Sequence, residues 1–373
     1  MITKLYIDNF KTLIDFHMSC NVLTCLIGLN NSGKTTIIQA FDFLSYVASG
    51  KVLHFLELRD WNIDSIKSHQ IKDNQSINFN LQFNMNGNTY SWTGALHLKS
   101  LYCITEKIAQ IKKDGETKLL LDVNLDSYKF FNGSVKSIDF AYEGSILAFL
   151  KEKLLSTELI QIKHFLSSIK CMDLLNPYLI RKPAKQTEYA ILGGGEKLAA
   201  FLCQLSRKQK EKVSEQLRHI FKKFHKYEIL TNNSGWQELF INEKNKIHDN
   251  HIEAKHISDG FLRLLAIFSQ LQTKYSVLLF DEIENGINHE FMEYVIDELL
   301  SSKKQIILTT HSPMILNYLE DDIALNSVVY VKNNDQTGIS CAYNFFKIPH
   351  VKSMLDYMGP GEVYANVDLK EIQ

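Results

Sequence analysis

Five side chains in this sequence are of the types that act on a phosphate chain: Lys34, Thr35, Asp281, Glu282 and His311. Lys34 and Thr35 close the run Gly28-Leu29-Asn30-Asn31-Ser32-Gly33-Lys34-Thr35, which Thr36 follows. A glycine, four residues, then Gly-Lys-Thr is P-loop spacing. Phosphate binding needs several backbone N–H groups aimed at one point, and a tight loop opening a helix supplies them. Gly28 and Gly33 give that loop backbone freedom and keep Cβ atoms out of the way. Lys34 adds a point charge for β- and γ-phosphates, and Thr35 offers a hydroxyl to Mg²⁺. Asp281 suits the same Mg²⁺ shell, directly or through water. Glu282, one residue on, is placed to orient or deprotonate an attacking water. His311 is placed to sense the γ-phosphate.

The flanking segments are the elements such residues need. Val22–Ile27 reads as a short buried strand. Thr36–Leu44 reads as a helix, with apolar residues at 37, 38, 41 and 44. Ser276–Phe280 is an apolar run ending in Asp281-Glu282, as parallel strands buried on both faces do. Gln305–Thr309 is another such strand, ending at Thr310-His311-Ser312, with Pro313 opening the next helix. Ligands bind beyond the carboxyl ends of parallel strands, so these polar ends mark one site. Ile257-Ser258-Asp259-Gly260 starts a further helix, with Ser258 as N-cap and a dipole that favours an anion.

Composition sets the frame. The chain has 373 residues, 45% hydrophobic and 22% charged, which allows one large or two ordinary packed domains. A net charge of −1 removes a global basic field for nucleic acid but not a local patch. The six cysteines contain no C-x-x-C pair and read as reduced, mostly buried thiols of a cytoplasmic protein. Histidines 248, 251 and 256 lie close together without cysteine partners and read as a polar strand or loop rather than a zinc site. The start lacks a signal-peptide run, and no stretch reaches the length of a membrane span. Phe261–Leu271 comes nearest and is interrupted by Arg263.

Between these motifs the pattern changes. Residues 2–8 and 12–18 alternate as strands around Asn9-Phe10-Lys11 and are expected to flank the P-loop strand. Ile77–Phe83 alternates, Asn86-Gly87 is a hairpin turn, and Thr89–Leu98 returns. A second hairpin brackets Asp114-Gly115. Residues 145–169 turn helical, with Pro177 and Pro183 at the exit. Gly193-Gly194-Gly195 precedes a helix from near Glu196. With no Gly-Lys-Ser/Thr after it, it reads as a turn rather than a second phosphate loop. Residues 207–226 form an amphipathic helix with eight Lys/Arg against Glu211 and Glu215, a local charge of about +6. That face is either solvated or a surface for nucleic acid or an acidic partner. No long heptad pattern, internal repeat or low-complexity linker is present.

The order of motifs resembles the ABC-class ATPases of the SMC, RecF and OLD kind. A Walker A loop (28–35), a signature-like Ser258-Asp259-Gly260, a Walker B strand with Glu282, and the switch His311 carry the likeness. Asn9-Phe10-Lys11 resembles the amino-terminal Asn-Phe-Lys/Arg element of that class, and Gly193–Leu198 a Gly-rich segment of its short branch. The likeness covers residues 1–48 and 190–332 and is weak between. It implies an α/β P-loop head of ABC type carrying a β-rich and helical insertion. The expected division is 1–95 for the first part of the head with Walker A, 96–190 for the insertion, and 191–373 for the rest. The resemblance also implies ATP and Mg²⁺ as ligands and a composite site between two heads. Gly28, Asn30, Asn31, Ser32, Gly33, Lys34, Thr35, Thr36, Asp281, Glu282 and His311 would then act in cis, Ser258 and Gly260 in trans, and Lys11 would approach the nucleotide. Gln82 is the candidate for the family's glutamine loop.

Three departures stand out. Asn30-Asn31 replaces a common Asn-Gly, which the loop tolerates because Asn accepts positive φ. Ser258-Asp259-Gly260 is not the transporter signature. Gly286-Ile287-Asn288-His289 replaces a common Gly-Leu-His-Pro. The 62 residues after His311 hold Asp321-Asp322 and Asp335 but no acidic Toprim pattern. The chain therefore resembles the stand-alone ATPases of anti-phage systems such as Septu and PARIS, in which a separate nuclease or toxin is the effector. That resemblance implies a homodimer or higher oligomer that senses a nucleic acid or phage protein. Two other readings stay open: a RecF-like DNA-binding repair ATPase, and a nucleotide-dependent scaffold with little turnover.

Overall fold

The structure, a computed structural model, describes residues 1–71, 74–172, 176–185, 195, 197–244 and 249–369. The chain opens with β1 (Ile2–Asp8), β2 (Phe16–Ser19), β3 (Leu23–Ile27), α1 (Lys34–Ser49) and α2 (Val52–Glu57). Six strands follow: β4 (Ser76–Met85), β5 (Asn88–His97), β6 (Cys103–Ile111), β7 (Thr117–Asn124), β8 (Ser127–Phe130) and β9 (Lys136–Ser137). Next come α3 (Ile146–Phe149), α4 (Thr157–Ser167), β10 (Ile169–Met172), α5 (Pro177–Ile180), β11 (Ala184–Lys185), α6 (Leu198–Gln204) and α7 (Arg207–Ile220). The chain continues through β12 (Phe224–Thr231), β13 (Trp236–Lys244), β14 (Asp249–Glu253), α8 (Asp259–Leu271), β15 (Val277–Phe280), α9 (Met292–Ser301) and β16 (Gln305–Thr309). It closes with α10 (Pro313–Asn317), α11 (Asp321–Ser327), β17 (Val328–Asn333), β18 (Ser340–Asn344), α12 (Pro349–Met354) and α13 (Pro360–Asn366).

A six-stranded sheet in the order β10-β15-β16-β3-β17-β18 carries the strand ends that matter. Its pairs are parallel except β17 with β18. Both faces are covered, which explains the unbroken apolar runs. Leu26, Val277, Leu279, Ile307 and Val331 face one core, with Ile37, Ile38, Phe41 and Leu44 of α1. Leu23, Cys25, Ile27, Leu278, Phe280 and Leu308 face a second core, with Leu262 and Leu265 of α8 and Val295 of α9. Each buried Leu, Ile or Phe contributes about 1.5–3 kcal/mol.

A second, eight-stranded antiparallel sheet runs β2-β1-β4-β5-β6-β7-β8-β9. Asn86 and Gly87 both take positive φ, 51° and 78°, and close the β4–β5 hairpin with Met85 opposite Asn88. Asp114-Gly115 lies in the longer turn between β6 and β7, where Ile111 pairs with Thr117 and Gly115 takes φ 88°. A third sheet joins β12, β13, β11 and β14. Gln305 ties the first two sheets together: its side chain accepts from the Ile2 N–H at 2.6 Å and donates to the Ile2 carbonyl at 2.7 Å.

Four expectations are corrected. The strands at 2–8 and 12–18 do not flank the P-loop strand; β16 and β17 do. β1 alternates buried and half-exposed residues, so it fits the one-sided antiparallel sheet rather than a strand covered on both faces. β2 starts only at Phe16, because residues 10–13 form a tight turn closed by reciprocal Phe10 and Leu13 backbone bonds. The helical stretch 145–169 breaks into α3, a short 3₁₀ turn and α4, with Ser145 and Ser156 as N-caps. The basic helix ends at Ile220; Phe224 reaches the second core from β12, and Lys226 lies on that strand. The helix after the glycines begins at Leu198, while Gly193, Gly194 and Glu196 lie outside the described residues, as does His248. Among the described residues no helix is long and apolar enough to cross a membrane.

Candidate functional site

The parallel register brings three strand ends together. β3 delivers the loop 28–33, β15 delivers Asp281 and Glu282, and β16 between them delivers Thr309, Thr310 and His311. The loop geometry is demanding. Gly28 has φ 147°, and a Cβ there would lie 2.2 Å from the Val331 carbonyl oxygen. Gly33, the residue before α1, has φ 105°, and its Cβ would lie 2.2 Å from Ser340 Oγ. Asn31 takes the left-handed φ of 63°, the conformation that a glycine supplies elsewhere. Asn30 is exposed, Thr36 is half-buried, and Ser32 is buried with an Oγ that has no hydrogen-bond partner.

Lys34 is only 5% exposed. Its Nζ donates to the Gly28 carbonyl at 3.0 Å and the Leu29 carbonyl at 2.9 Å, so the ammonium lies inside the loop. Burial lowers its pKa to about 8, against the opposing pull of Asp281, Glu282 and Glu284. Thr35 Oγ1 donates to Asp281 Oδ2 at 2.9 Å, and Thr309 Oγ1 donates to Asp281 Oδ1 at 2.6 Å. A hydroxyl and a carboxylate side by side are hard oxygen donors, the kind Mg²⁺ takes together with nucleotide phosphates. The residues therefore fit that ion.

Glu282 sits in the left-handed region with φ 47°, an uncommon place for its side chain. Its N–H donates to Thr309 Oγ1 at 2.7 Å, and its Oε2 accepts from Asn285 Nδ2 at 3.3 Å. The turn leaves the carboxylate half-exposed at the mouth of the site. His311 is exposed, and its backbone N–H donates to Glu284 Oε1 at 2.7 Å.

Other candidates lie elsewhere. Ser258 occupies the N-cap position of α8, exposed, with no side-chain bond to the helix. Gly260 is pressed on the next loop: a Cβ would lie 2.7 Å from the Gly286 carbonyl oxygen. Arg181 holds this start by donating to the Ile257 carbonyl at 2.6 Å and pairing with Asp259. In the described hydrogen bonds and close contacts, neither Ser258 nor Gly260 reaches the P-loop of its own chain. Lys11 Nζ donates to Gln39 Oε1 of α1 at 2.9 Å and lies 3.5 Å over the Trp61 ring, one residue before Thr12, whose Oγ1 would lie 3.3 Å from a Cβ on Gly33 of the loop. Asn9 fastens the same turn, donating to the Ser76 carbonyl at 2.8 Å. Gln82 lies on β4 and lines a groove with Tyr6, His17 and Tyr343, away from the strand ends. The strand next to β15 is β10, whose exit at 173–175 lies outside the described residues.

The family model described as "AAA domain, putative AbiEii toxin, Type IV TA system" matches residues 23–317. The chain belongs to this family. An AAA-type family supports nucleotide-dependent ATPase activity in general, and the span matched includes the P-loop, Asp281, Glu282 and His311. Among solved structures, a Pyrococcus furiosus Smc head with an extended coiled coil, bound to the C-terminal domain of ScpA, is similar. Its TM-score is 0.53 at 14% identity, over 95% of this chain and 99% of that one. An SmcHead bound to the C-winged helix domain of ScpA gives a TM-score of 0.50 at 18% identity, over 92% of this chain and 97% of that one. These likenesses show the fold, a mixed α/β ABC-type P-loop head. No curated protein matches the chain.

Sequence reasoning missed several residues at this site. Thr309 stood in the motif segment, but only the sheet register shows that its hydroxyl joins Asp281 to Glu282. Ser340, which closes on Gly33, is over 300 residues away in the chain and carries no local signal. Tyr364 of α13 is buried against the loop, its hydroxyl pushed up by burial while the Gly28 N–H pulls the other way.

Proposed function

We propose that this protein is an ATP-hydrolysing regulatory subunit whose heads join through ATP and control a separate effector. The observation that carries this reading is the laced set Lys34, Thr35, Asp281, Thr309 and Glu282 at three adjacent parallel strand ends. Gly28, Asn30, Asn31, Ser32, Gly33, Lys34 and Thr36 hold the phosphates. Thr35 and Asp281 hold Mg²⁺, which would shield phosphate charge. Glu282 takes the proton of the attacking water, and His311 reports on the γ-phosphate. Ser258 and Gly260 complete the site of a second copy. The exposed Ser258 at the N-cap position of α8, whose side chain makes no capping bond, supports that trans role. The effector is a separate toxin or nuclease in bacterial anti-phage defence, acting in the cytoplasm. The matched family's description, which names a "putative AbiEii toxin" and a Type IV TA system, supports a link to a toxin, and the separate effector rests on the resemblance to stand-alone defence ATPases.

A mixing experiment tests the trans role. Lys34→Ala removes the cis phosphate charge, and Ser258→Arg obstructs the trans contribution. Each variant alone turns over little ATP. Mixed, they form hybrid dimers with one intact site, and activity recovers to about a quarter of wild type by statistical pairing. No recovery on mixing, with both variants folded and dimeric, contradicts the composite site.

A second reading, DNA binding by a RecF-like ATPase, is favoured by one observation. A cavity of about 520 Å³ at the opposite strand ends is lined by Lys212 of α7 together with Lys274, Lys303 and Lys304. Lys222 and Lys223 are exposed in the turn after α7. On this reading, Lys212→Glu with Lys303→Glu weakens duplex DNA binding at least tenfold at low salt and flattens its salt dependence, as does Lys222→Glu with Lys223→Glu. Unchanged binding in both pairs, measured by fluorescence anisotropy, removes this reading.

A further inference from the structure

We propose that Glu284 is a positioning residue for the switch segment at His311, an assignment that rests on the hydrolytic reading above. The chain reverses at Glu282, whose left-handed backbone swings the next residues back over the strand ends. Ile283 then buries, 3% exposed, with its N–H on the Thr309 carbonyl at 3.2 Å. This turn delivers Glu284 to the end of β16. Its Oε1 accepts from the His311 backbone N–H at 2.7 Å. Its Oε2 is sheltered from solvent and has no hydrogen-bond partner.

The other links between the ends of β15 and β16 stop at Thr309: Asp281 and Glu282 meet its hydroxyl, and Ile283 meets its carbonyl. Among the described hydrogen bonds, the Glu284 carboxylate is what carries this lacing on to His311. A strand-end N–H could be satisfied by water or by a neutral amide at less desolvation cost. A carboxylate instead makes a stronger, charge-assisted bond and fixes the backbone from which the imidazole springs. Its charge also reaches Lys34 and Tyr364, so P-loop, switch and last helix share one electrostatic neighbourhood. Glu284 acts through His311, so it sets the rate of the chemical step more than the affinity for nucleotide.

The test compares Glu284→Ala with Glu284→Gln, whose side-chain carbonyl still accepts from the His311 N–H. Amide hydrogen exchange over residues 310–312 of the nucleotide-free protein reads the contact whether or not ATP is turned over. We expect exchange at least tenfold faster in Glu284→Ala and within about threefold of wild type in Glu284→Gln. Turnover falls about tenfold in the alanine variant at unchanged ATP affinity, and the glutamine variant, which keeps the acceptor without the charge, recovers part of it. The double variant Glu284→Ala with His311→Ala is no slower than His311→Ala alone, because both act on one element. Unchanged exchange in Glu284→Ala overturns the contact, and additive losses in the double variant overturn the action through His311. If the wild type binds ATP without hydrolysing it, the hydrolytic reading fails instead, and the exchange result still decides the contact.

Discussion

Glu282→Gln lowers ATP turnover at least a hundredfold while leaving nucleotide bound. The carboxamide matches the carboxylate in shape, so the left-handed turn with φ 47° and the N–H bond to Thr309 persist. What it lacks is basicity. A positioned general base contributes about 10²–10⁴-fold, which sets the size of the expected loss. Asp281 and Thr35 are untouched, so the metal donors and the phosphate loop remain. Phosphate release under saturating Mg-ATP checks the rate, and equilibrium binding of a fluorescent ATP analogue checks affinity. Turnover within tenfold of wild type would assign the proton to another group.

Lys34→Ala should weaken ATP binding at least a hundredfold, about 2.7 kcal/mol. The ammonium is enclosed by the loop and donates to two of its carbonyls, so no other described cation holds that position. The same burial means that the variant need not be less stable. The Lys34 pKa falls from 10.5 to about 8 on folding. The unfolded chain therefore holds this proton more tightly, and the charge works against the fold at pH values below about 8. As pH rises from about 8 to 10.5, wild-type stability rises relative to Lys34→Ala. Binding runs the other way. Above pH 8 the free protein loses the charge that phosphates need, and wild-type affinity falls by about tenfold per unit while the variant's stays flat. Thermal melts and ATP titrations across pH 7–10 check both slopes. A flat wild-type affinity across this pH range would place Lys34 outside this role.

The candidate site was legible where chemistry and local geometry coincide. A phosphate loop is contiguous, and its glycines, lysine and threonine sit at fixed spacing beside a strand and a helix. The apolar runs before Asp281 and before Thr310 name their strands because both faces of that sheet are covered. Asn86-Gly87 names its hairpin because few other residues accept two successive positive φ values. What failed was long-range. Alternation at residues 2–8 says strand but not which sheet, and the one-sided burial of β1 decides for the antiparallel one. The apolar spacing of 213, 217, 220, 221 and 224 runs on past the helix because β12 happens to return Phe224 to the same core. Gly260 reads as a ligand-binding glycine, and its packing on the Gly286 carbonyl gives a second, structural reason for a missing Cβ that the sequence does not show. Glu284 carried no motif value in the sequence, since its partner is a backbone N–H on another strand.

The most direct measurement of the central claim is the mass in solution, by light scattering, of wild type and Glu282→Gln with and without Mg-ATP. The account predicts that ATP converts the glutamine variant to a larger species that persists, while wild type forms it only transiently as it hydrolyses. A variant that binds ATP, has lost turnover and yet keeps the same mass with and without nucleotide would contradict the joining of heads through ATP.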